Sequence, residues 1–223
     1  RYTEALSYSE QAIKLDSNVA NFWDWKSWIL FELGRYEECL YSCEQALNLG
    51  SNNAFIWNRK AMVFHSLGKY EDVIVCAEQA IKLDANFADA WHNKGNALGW
   101  LKRYQEALYY FDQAIKLNSN VAIYWDVKAW SLGELGRYKK AINCSKRAIK
   151  LEPKNDGYRN RYTALNLQKA EQKKNKRGGC FLIILGILLG VFLGWVAIVI
   201  PPKSDSDRLA VLAFPIVPIV III

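Results

Sequence analysis

The chain has 223 residues, 52% of them hydrophobic, and a formal net charge of +7 at pH 7. This length allows one or two domains, and the hydrophobic share lies above the roughly 45–50% that is usual for globular domains. The positive charge is concentrated in residues 137–177, which hold 14 Lys and Arg against 3 Asp and Glu, so the composition argues against a uniformly basic nucleic-acid-binding protein.

A segment of 15 residues recurs five times before residue 152, and its clearest copy is RYQEALYYFDQAIKL at residues 103–117. The tyrosine at its second position returns every 34 residues, as Tyr2, Tyr36, Tyr70, Tyr104 and Tyr138. Apolar residues within the copy follow helical spacing, which predicts an amphipathic helix. A constant period of this length predicts a solenoid of stacked helical units. Because the chain begins with Arg1, inside a repeat, we expect it to be a piece of a longer protein.

A second recurring stretch begins with a tryptophan, again at a step of 34 residues: Trp23, Trp57, Trp91 and Trp125. Each is followed three positions later by a lysine and then by a small residue. Short runs of Asp, Ser, Gly and Asn separate the units, and these residues suit the ends of helices and tight turns. Each unit therefore contains two helices joined by a turn.

This pattern resembles the tetratricopeptide repeat family over residues 1–152. The matching positions are the four tryptophans, the five tyrosines, Gly95, the turn glycines Gly34, Gly68 and Gly136, and the alanines Ala12, Ala46, Ala80, Ala114 and Ala148. The chain departs from the family pattern where lysine replaces the leucine of the Leu-Gly pair, where Lys102 replaces the turn glycine, and where only the last unit has its proline, Pro153.

The resemblance implies an all-α fold, a helix-turn-helix solenoid with a right-handed superhelix. Residues 1–152 would hold the second helix of one repeat and four full repeats. In this family the first helices line a groove that binds a protein or peptide. The residues carried over to that groove, with their neighbours, are Asp24, Trp28, Phe31, Asn58, Met62, His65, His92, Asn96, Asp126 and Trp130.

The groove residues suggest the chemistry of the partner. The Lys and Arg set with which some members of the family clamp a C-terminal carboxylate is missing, which favours an apolar or mildly basic peptide. Large aromatic side chains such as Trp28 and Trp130 are typical of binding grooves. The alternative is that both tryptophans simply pack between helices.

The sequence contains no motif for nucleotide binding, metalloprotease or nucleophilic catalysis, so we predict neither an enzyme nor a cofactor. Five cysteines lack the paired spacing of a zinc site, and no metal is expected. At Cys39 and Cys43 the other units place small or apolar residues, which predicts buried thiols in a reducing compartment.

The repeat pattern ends after residue 152. Residues 153–177 should form a capping helix and a basic segment, with Arg159 where the next tryptophan would stand. Residues 178–200 contain 21 consecutive uncharged positions, from Cys180 to Ile200, which at 1.5 Å per residue would span about 31 Å as a helix. This length predicts a transmembrane helix.

A short polar loop is expected at residues 201–208, followed by a second hydrophobic segment at 209–223. That segment is either a truncated transmembrane span or a re-entrant or interfacial piece. Within the first span, Gly186, Gly190 and Gly194 fall on one helical face, which would allow a homo-oligomer through helix packing. Positive residues are concentrated on the N-terminal flank of the span, which places the repeats on the cytoplasmic side of the membrane.

These observations predict a membrane-anchored scaffold or adaptor that binds a protein or peptide with its solenoid and the lipid bilayer with its C-terminal region. The alternative is a regulatory domain of a larger polytopic enzyme or transporter whose remaining part follows residue 223. A nucleic-acid partner is not expected, because the basic segment lies next to an apolar one.

Overall fold

The computed structural model describes the backbone of residues 1–192, 195–199 and 211–215, and the side chains of residues 1–176. The elements in chain order are α1 (Tyr2–Leu15), α2 (Ala20–Glu32), α3 (Tyr36–Asn48), α4 (Ala54–Ser66), α5 (Tyr70–Leu83), α6 (Ala88–Trp100), α7 (Tyr104–Leu117), α8 (Ala122–Glu134), α9 (Tyr138–Leu151), α10 (Asp156–Phe192), β1 (Trp195–Val199) and β2 (Val211–Pro215). These residues divide into two compact units, Arg1–Asn166 and Leu167–Ile223.

The first unit is a solenoid of helix pairs. Each helix that carries a repeated tryptophan packs against the helix that follows it, so that α2 pairs with α3, α4 with α5, α6 with α7 and α8 with α9. Helix α1 is the second helix of a further repeat. The predicted solenoid, including its opening half-repeat, is therefore confirmed for the described residues.

The turn inside each pair has the same backbone geometry. Gly34, Gly68 and Gly136 have φ between 68° and 71°, in the left-handed region that glycine enters without strain. The amide of the next residue then donates to the carbonyl five residues earlier, for example Arg35 to Leu30 at 2.9 Å. This arrangement satisfies the last carbonyls of the first helix and directs the chain into the second.

Small residues occupy the places where helices approach most closely. Ala46, Ala80, Ala114 and Ala148, at one register position of the second helices, are fully buried. The cysteines Cys39, Cys43, Cys76 and Cys144 are also buried free thiols, as predicted. Burial raises the pKa of Cys76 to about 11, because a buried thiolate lacks hydration.

The repeated tryptophans fasten each unit to the turn that precedes it. The indole nitrogens of Trp23, Trp91 and Trp125 each donate a 2.9 Å hydrogen bond to the carbonyl six residues earlier. Arg159, at the tryptophan position of α10, makes the same bond through Nη1 to the carbonyl of Pro153, also at 2.9 Å. The start of α10 therefore occupies the place of a first repeat helix.

Packing of α10 agrees with this assignment. Tyr158 packs with Ala148, and Leu165 with Ile142 and Cys144, so the end of the solenoid core is covered. Residues 169–176 of the same helix are exposed. The first turns of α10 thus provide the expected cap.

The C-terminal region differs from the sequence prediction. Helix α10 ends at Phe192, and β1 pairs antiparallel with β2, with Trp195 opposite Pro215 and Val199 opposite Val211. The predicted continuation of one helix to residue 200 is therefore wrong. Both strands are rich in β-branched and aromatic residues, which favour extended backbone, and a short apolar run does not by its pattern distinguish helix from strand.

No helix among the described residues is both long enough and apolar enough to cross a membrane. Residues 211–215 of the second hydrophobic segment form strand β2 rather than the start of a helical span. Gly186 and Gly190 belong to α10, whereas Gly194 and the predicted loop at 201–208 lie outside the described residues.

Candidate functional site

Polar side chains on the first helices join each unit to the next. The residue two places after a tryptophan position bonds to the residue one place after the preceding tryptophan. Arg59 forms an ion pair with Asp24, Asn93 donates to Oδ1 of Asn58 at 2.8 Å, and Arg161 donates to Oδ1 of Asp126 at 2.7 Å. Each bond joins residues 35 positions apart, which is one repeat plus one residue.

The third step of this ladder is different, because Val127 occupies the donor position. His92 instead stacks on Tyr124, with ring centroids 5.1 Å apart, and the Tyr124 hydroxyl donates to Asp89. The Nε2 atom of His92 is buried without a hydrogen-bond partner. Burial lowers the pKa of His92 to about 4, so the ring is neutral at physiological pH.

This ladder explains four of the residues that the sequence places in the groove. Asp24, Asn58, His92 and Asp126 contact the neighbouring unit, and Asp126 and Asn58 are only 4% and 7% exposed. Burial raises the pKa of Asp126 although Arg161 opposes the change. The four side chains therefore couple successive units, a role that repeat position alone does not reveal.

A pocket of about 220 Å³ opens beside the first two steps of the ladder. Its aromatic part contains Trp28 and the ring pair of Phe55 and Phe87, whose centroids are 4.9 Å apart. Trp28 is 46% exposed and Phe55 63% exposed, although both are large and apolar. The full lining consists of Trp28, Phe31, Glu32, Phe55, Asn58, Arg59, Met62, Phe87 and Asp89.

The charges of the pocket are unevenly satisfied. The Arg59 guanidinium lies against Asp24 and donates to the Ser27 hydroxyl at 2.6 Å. Asp89 accepts a hydrogen bond from Tyr124, and Glu32 is exposed. The lining thus offers apolar rings beside two carboxylates, a combination that suits an apolar side chain next to a cationic one.

The structure brings four predicted groove residues together in this pocket, namely Trp28, Phe31, Asn58 and Met62. Sequence reasoning missed Phe55 and Phe87. Phe55 could have been noticed, because the equivalent positions are Asn21 and Asp89, both polar, and a large apolar residue at a polar position indicates an exposed contact.

Other predicted groove residues lie elsewhere. Trp130 is half-buried against Trp100 and Tyr104, with ring centroids 5.4 and 5.7 Å away. Asn96 Nδ2 lies 3.1 Å from Nε2 of His65, whose pKa is lowered by burial. The packing alternative therefore describes Trp130, whereas Trp28 lines the pocket.

Comparison with known proteins agrees with this architecture. Family models described as tetratricopeptide repeat match residues 56–87, 88–121 and 122–155. The solenoid is built of tetratricopeptide repeats. Both models describe a repeat, neither an enzyme. No curated protein matches the chain significantly.

Three solved structures show the same fold at low sequence identity. MamA from Desulfovibrio magneticus RS-1 is 19% identical with a TM-score of 0.62, covering 74% of this chain and 94% of that one. YrrB, described as a tetratricopeptide repeat protein with an unusual peptide-binding site, is 20% identical with a TM-score of 0.58, covering 78% and 84%. The first such domain of Spaghetti (RPAP3), bound to the HSP90 peptide SRMEEVD, is 21% identical with a TM-score of 0.52, covering 53% and 94%.

The tetratricopeptide units share one departure from the family pattern, the lysine three residues after each tryptophan. Lys94 lies 2.7 Å from a carboxylate oxygen of Glu78 on the second helix of the same unit, and the same 16-residue step joins Lys60 to Glu44 at 3.6 Å. Lys60 also lies over the Trp57 ring, 5.3 Å from its centroid. This lysine therefore links the two layers of helices where the family has a leucine.

Proposed function

We propose that this chain is a scaffold that binds a peptide segment of a partner protein at the pocket between Trp28 and Phe87. The observation that carries the proposal is the exposure of Trp28 and Phe55 inside a concave lining, where burial by a partner would remove large apolar areas from water. Neighbours with this fold, YrrB and Spaghetti, are described with peptide-binding sites or bound peptides.

The lining indicates the character of the peptide. A large apolar side chain would fill the space among Trp28, Phe31 and Met62, and an adjacent Lys or Arg would meet the exposed carboxylate of Glu32. The acidic peptide bound by Spaghetti would encounter carboxylates here, because the cation in this pocket, Arg59, is already paired with Asp24. An apolar, mildly basic segment is therefore the expected ligand.

A peptide array probed with the full chain tests this assignment. Trp28→Ala should lower the affinity for the selected peptides by at least tenfold, since central aromatic side chains carry about 2 kcal/mol or more at such interfaces. Trp25→Ala is the matched control, because Trp25 lies on the same helix, is 59% exposed and does not line the pocket. Equal losses in the two variants would contradict the assignment.

The charge preference has its own control. Glu32→Gln should weaken peptides with a basic residue more than uncharged peptides, because it removes an attraction without changing the shape of the pocket. Glu134, three repeats later at the same register position, lies outside the pocket, so Glu134→Gln should leave both peptide classes unchanged. Identical effects of Glu32→Gln on both classes would remove the role of charge.

We further propose that the C-terminal region attaches this scaffold to a membrane, with the repeats on the cytoplasmic side. The support is the run of 21 uncharged residues from Cys180 to Ile200 and the basic flank that precedes it. Ile184→Lys with Leu188→Lys should release the full chain from membranes after a high-salt wash, because charges in an apolar segment oppose insertion. Leu15→Lys with Leu167→Lys, at two exposed leucines, is the control; release of both variants, or of neither, would overturn the proposal.

A further inference from the structure

Helix α9 reverses the charge that the other second helices carry. Eight positions after each repeated tyrosine, the first four units have Glu10, Glu44, Glu78 and Asp112, and α9 has Lys146. Two positions after the tyrosine they have Glu4, Glu38, Asp72 and Glu106, and α9 has Lys140. The reversal thus affects two aligned positions of the same helix surface.

The reversal removes two ion pairs that are made elsewhere. Arg35 binds Glu38 with two 2.6 Å hydrogen bonds, and Arg103 binds Glu106 in the same way at 2.8 and 2.7 Å. The equivalent residues of α9 are Arg137 and Lys140, two like charges. The bridge between the two helix layers is also missing, since Lys146 would have to meet Tyr162 at the lysine position of α10.

Helix stability does not account for these lysines. The positive end of the helix dipole is at the N-terminus, where acidic side chains are favourable and basic ones unfavourable. Helices α3 and α5 have two acidic residues in their first turn, whereas α9 has Lys139 and Lys140 there. The charge reversal therefore opposes the local electrostatics of the helix, which points to a role outside it.

The lysines form one exposed surface. Lys139, Lys146 and Lys150 are separated by seven and four residues and so lie along one side of α9, with Lys140 beside them. All four are exposed, as is Arg137, and among residues 1–176 none of these five cations forms a salt bridge. We call this surface the cationic face; it consists of Arg137, Lys139, Lys140, Lys146 and Lys150.

A cavity of about 570 Å³ adjoins the cationic face between α7, α8 and α9. Arg137 and Lys140 line it together with the amide-bearing side chains of Gln105 and Asn143. Its one lining carboxylate, Asp112, is paired with Lys128. The cavity therefore offers unpaired cations and amide groups to an oxyanion such as a phosphate.

We propose that the cationic face binds the phosphate headgroups of an anionic membrane surface. Charge complementarity is the basis, and the following sequence favours lipid. After the solenoid come Lys169, Lys173, Lys174, Lys176 and Arg177, and then the uncharged run that begins at Cys180. Juxtamembrane clusters of this kind bind anionic lipids. The cationic face contains no aromatic side chain, whereas proteins that bind single-stranded nucleic acid combine cations with stacking aromatics.

This inference uses a different surface from the peptide pocket and deepens the proposed membrane attachment. The experiment compares binding of the full chain to vesicles of phosphatidylcholine alone and of phosphatidylcholine mixed with phosphatidylserine. Binding to the neutral vesicles reports the apolar C-terminal region, and the additional binding to the anionic vesicles reports cationic surfaces. The two proposals can therefore fail separately.

Lys139→Glu with Lys146→Glu should lower the partition coefficient on the anionic vesicles by at least about tenfold, since each Lys near an anionic surface contributes about 1 kcal/mol. Neutral vesicles should bind this variant as they bind the wild type. Lys82→Glu with Lys116→Glu is the control, because it makes the same change in net charge at exposed sites on α5 and α7. It should change the anionic partition by less than about threefold, given the screening of distant charges by salt.

Three results would overturn the inference. Equal losses in the two double variants would show that net charge, rather than the cationic face, controls binding. Unchanged binding of the Lys139→Glu and Lys146→Glu variant would show that α9 does not contact the membrane. Loss of binding to an RNA or DNA oligonucleotide, with vesicle binding unaffected, would assign the face to nucleic acid instead. Circular dichroism of each variant confirms that the helices are retained.

Discussion

Arg161 Nε donates a hydrogen bond to Oδ1 of Asp126, 2.7 Å away and 35 residues earlier in the chain. Asp126 is buried on α8, and Arg161 lies on the first turns of α10. The same step joins Arg59 to Asp24 at the other end of the solenoid. The contact therefore attaches the capping helix by the chemistry that joins one repeat to the next.

Removal of Arg161 tests this attachment. Arg161→Met should lower the free energy of unfolding by about 3 kcal/mol, because it leaves a buried carboxylate without its charge partner. The pKa of Asp126, already raised by burial, should rise further. Chemical denaturation measures the loss. Arg159→Met is the control on the same helix, since Arg159 forms an exposed pair with Asp156 and such pairs contribute about 1 kcal/mol or less. Comparable losses would show that burial of Asp126 is unimportant.

His92 should make the fold sensitive to acid. The unfolded chain protonates His92 near its ordinary pKa of 6.5, whereas the folded pKa is about 4, so the unfolded state binds more protons between these values. Stability is therefore lost as the pH falls below about 6.5, by about 2 kcal/mol between pH 7 and pH 5.

The variant His92→Asn, which places the residue of the equivalent position Asn58, should lose about 2 kcal/mol less than the wild type over the same pH interval. Denaturation curves at the two pH values supply the comparison. If wild type and variant respond to pH alike, His92 is not the sensitive group.

Gly95 and Phe111 exchange volume across the interface of α6 and α7. A Cβ atom on Gly95 would lie 2.7 Å from Cε1 of Phe111, which is fully buried. Gly95→Ala should therefore cost about 1–3 kcal/mol through overpacking. The equivalent pair in the preceding unit is Ala61 and Ala77, so in a Phe111→Ala background Gly95→Ala should become stabilising by up to about 1 kcal/mol. A double-mutant cycle measures the coupling, and additive effects would disprove it.

Lys102 stands where three other units have a turn glycine, and its φ of 61° lies in the left-handed region. Lys102→Gly should stabilise the solenoid by about 0.5–1 kcal/mol, because the relief of strain exceeds the entropy that glycine loses on folding. The reverse change at an equivalent turn, Gly68→Lys, should destabilise by a similar amount. Thermal unfolding checks both; a decrease in stability for Lys102→Gly would be contrary to this account.

Repeat position predicts contacts within a unit better than contacts between units. The 34-residue period places every tryptophan, tyrosine and buried alanine correctly, because each packs within its own helix pair. The roles of Asp24 and Asp126 were not predicted, because their partners come from the next unit and depend on how successive first helices are offset. The pocket residue Phe87 was missed for the same reason.

The amino-acid sequence by itself determined the helix pairs, their turns and the burial of their small residues, since these follow from a local pattern that recurs at a constant interval. Only the tertiary structure decided that Trp28 lines a pocket while Trp130 packs against Trp100 and Tyr104, because neighbouring helices, and not the residue type, set the exposure of an aromatic side chain. It also decided that residues 195–199 and 211–215 pair as strands, since an uninterrupted apolar run satisfies either helix or strand until a partner supplies the backbone hydrogen bonds.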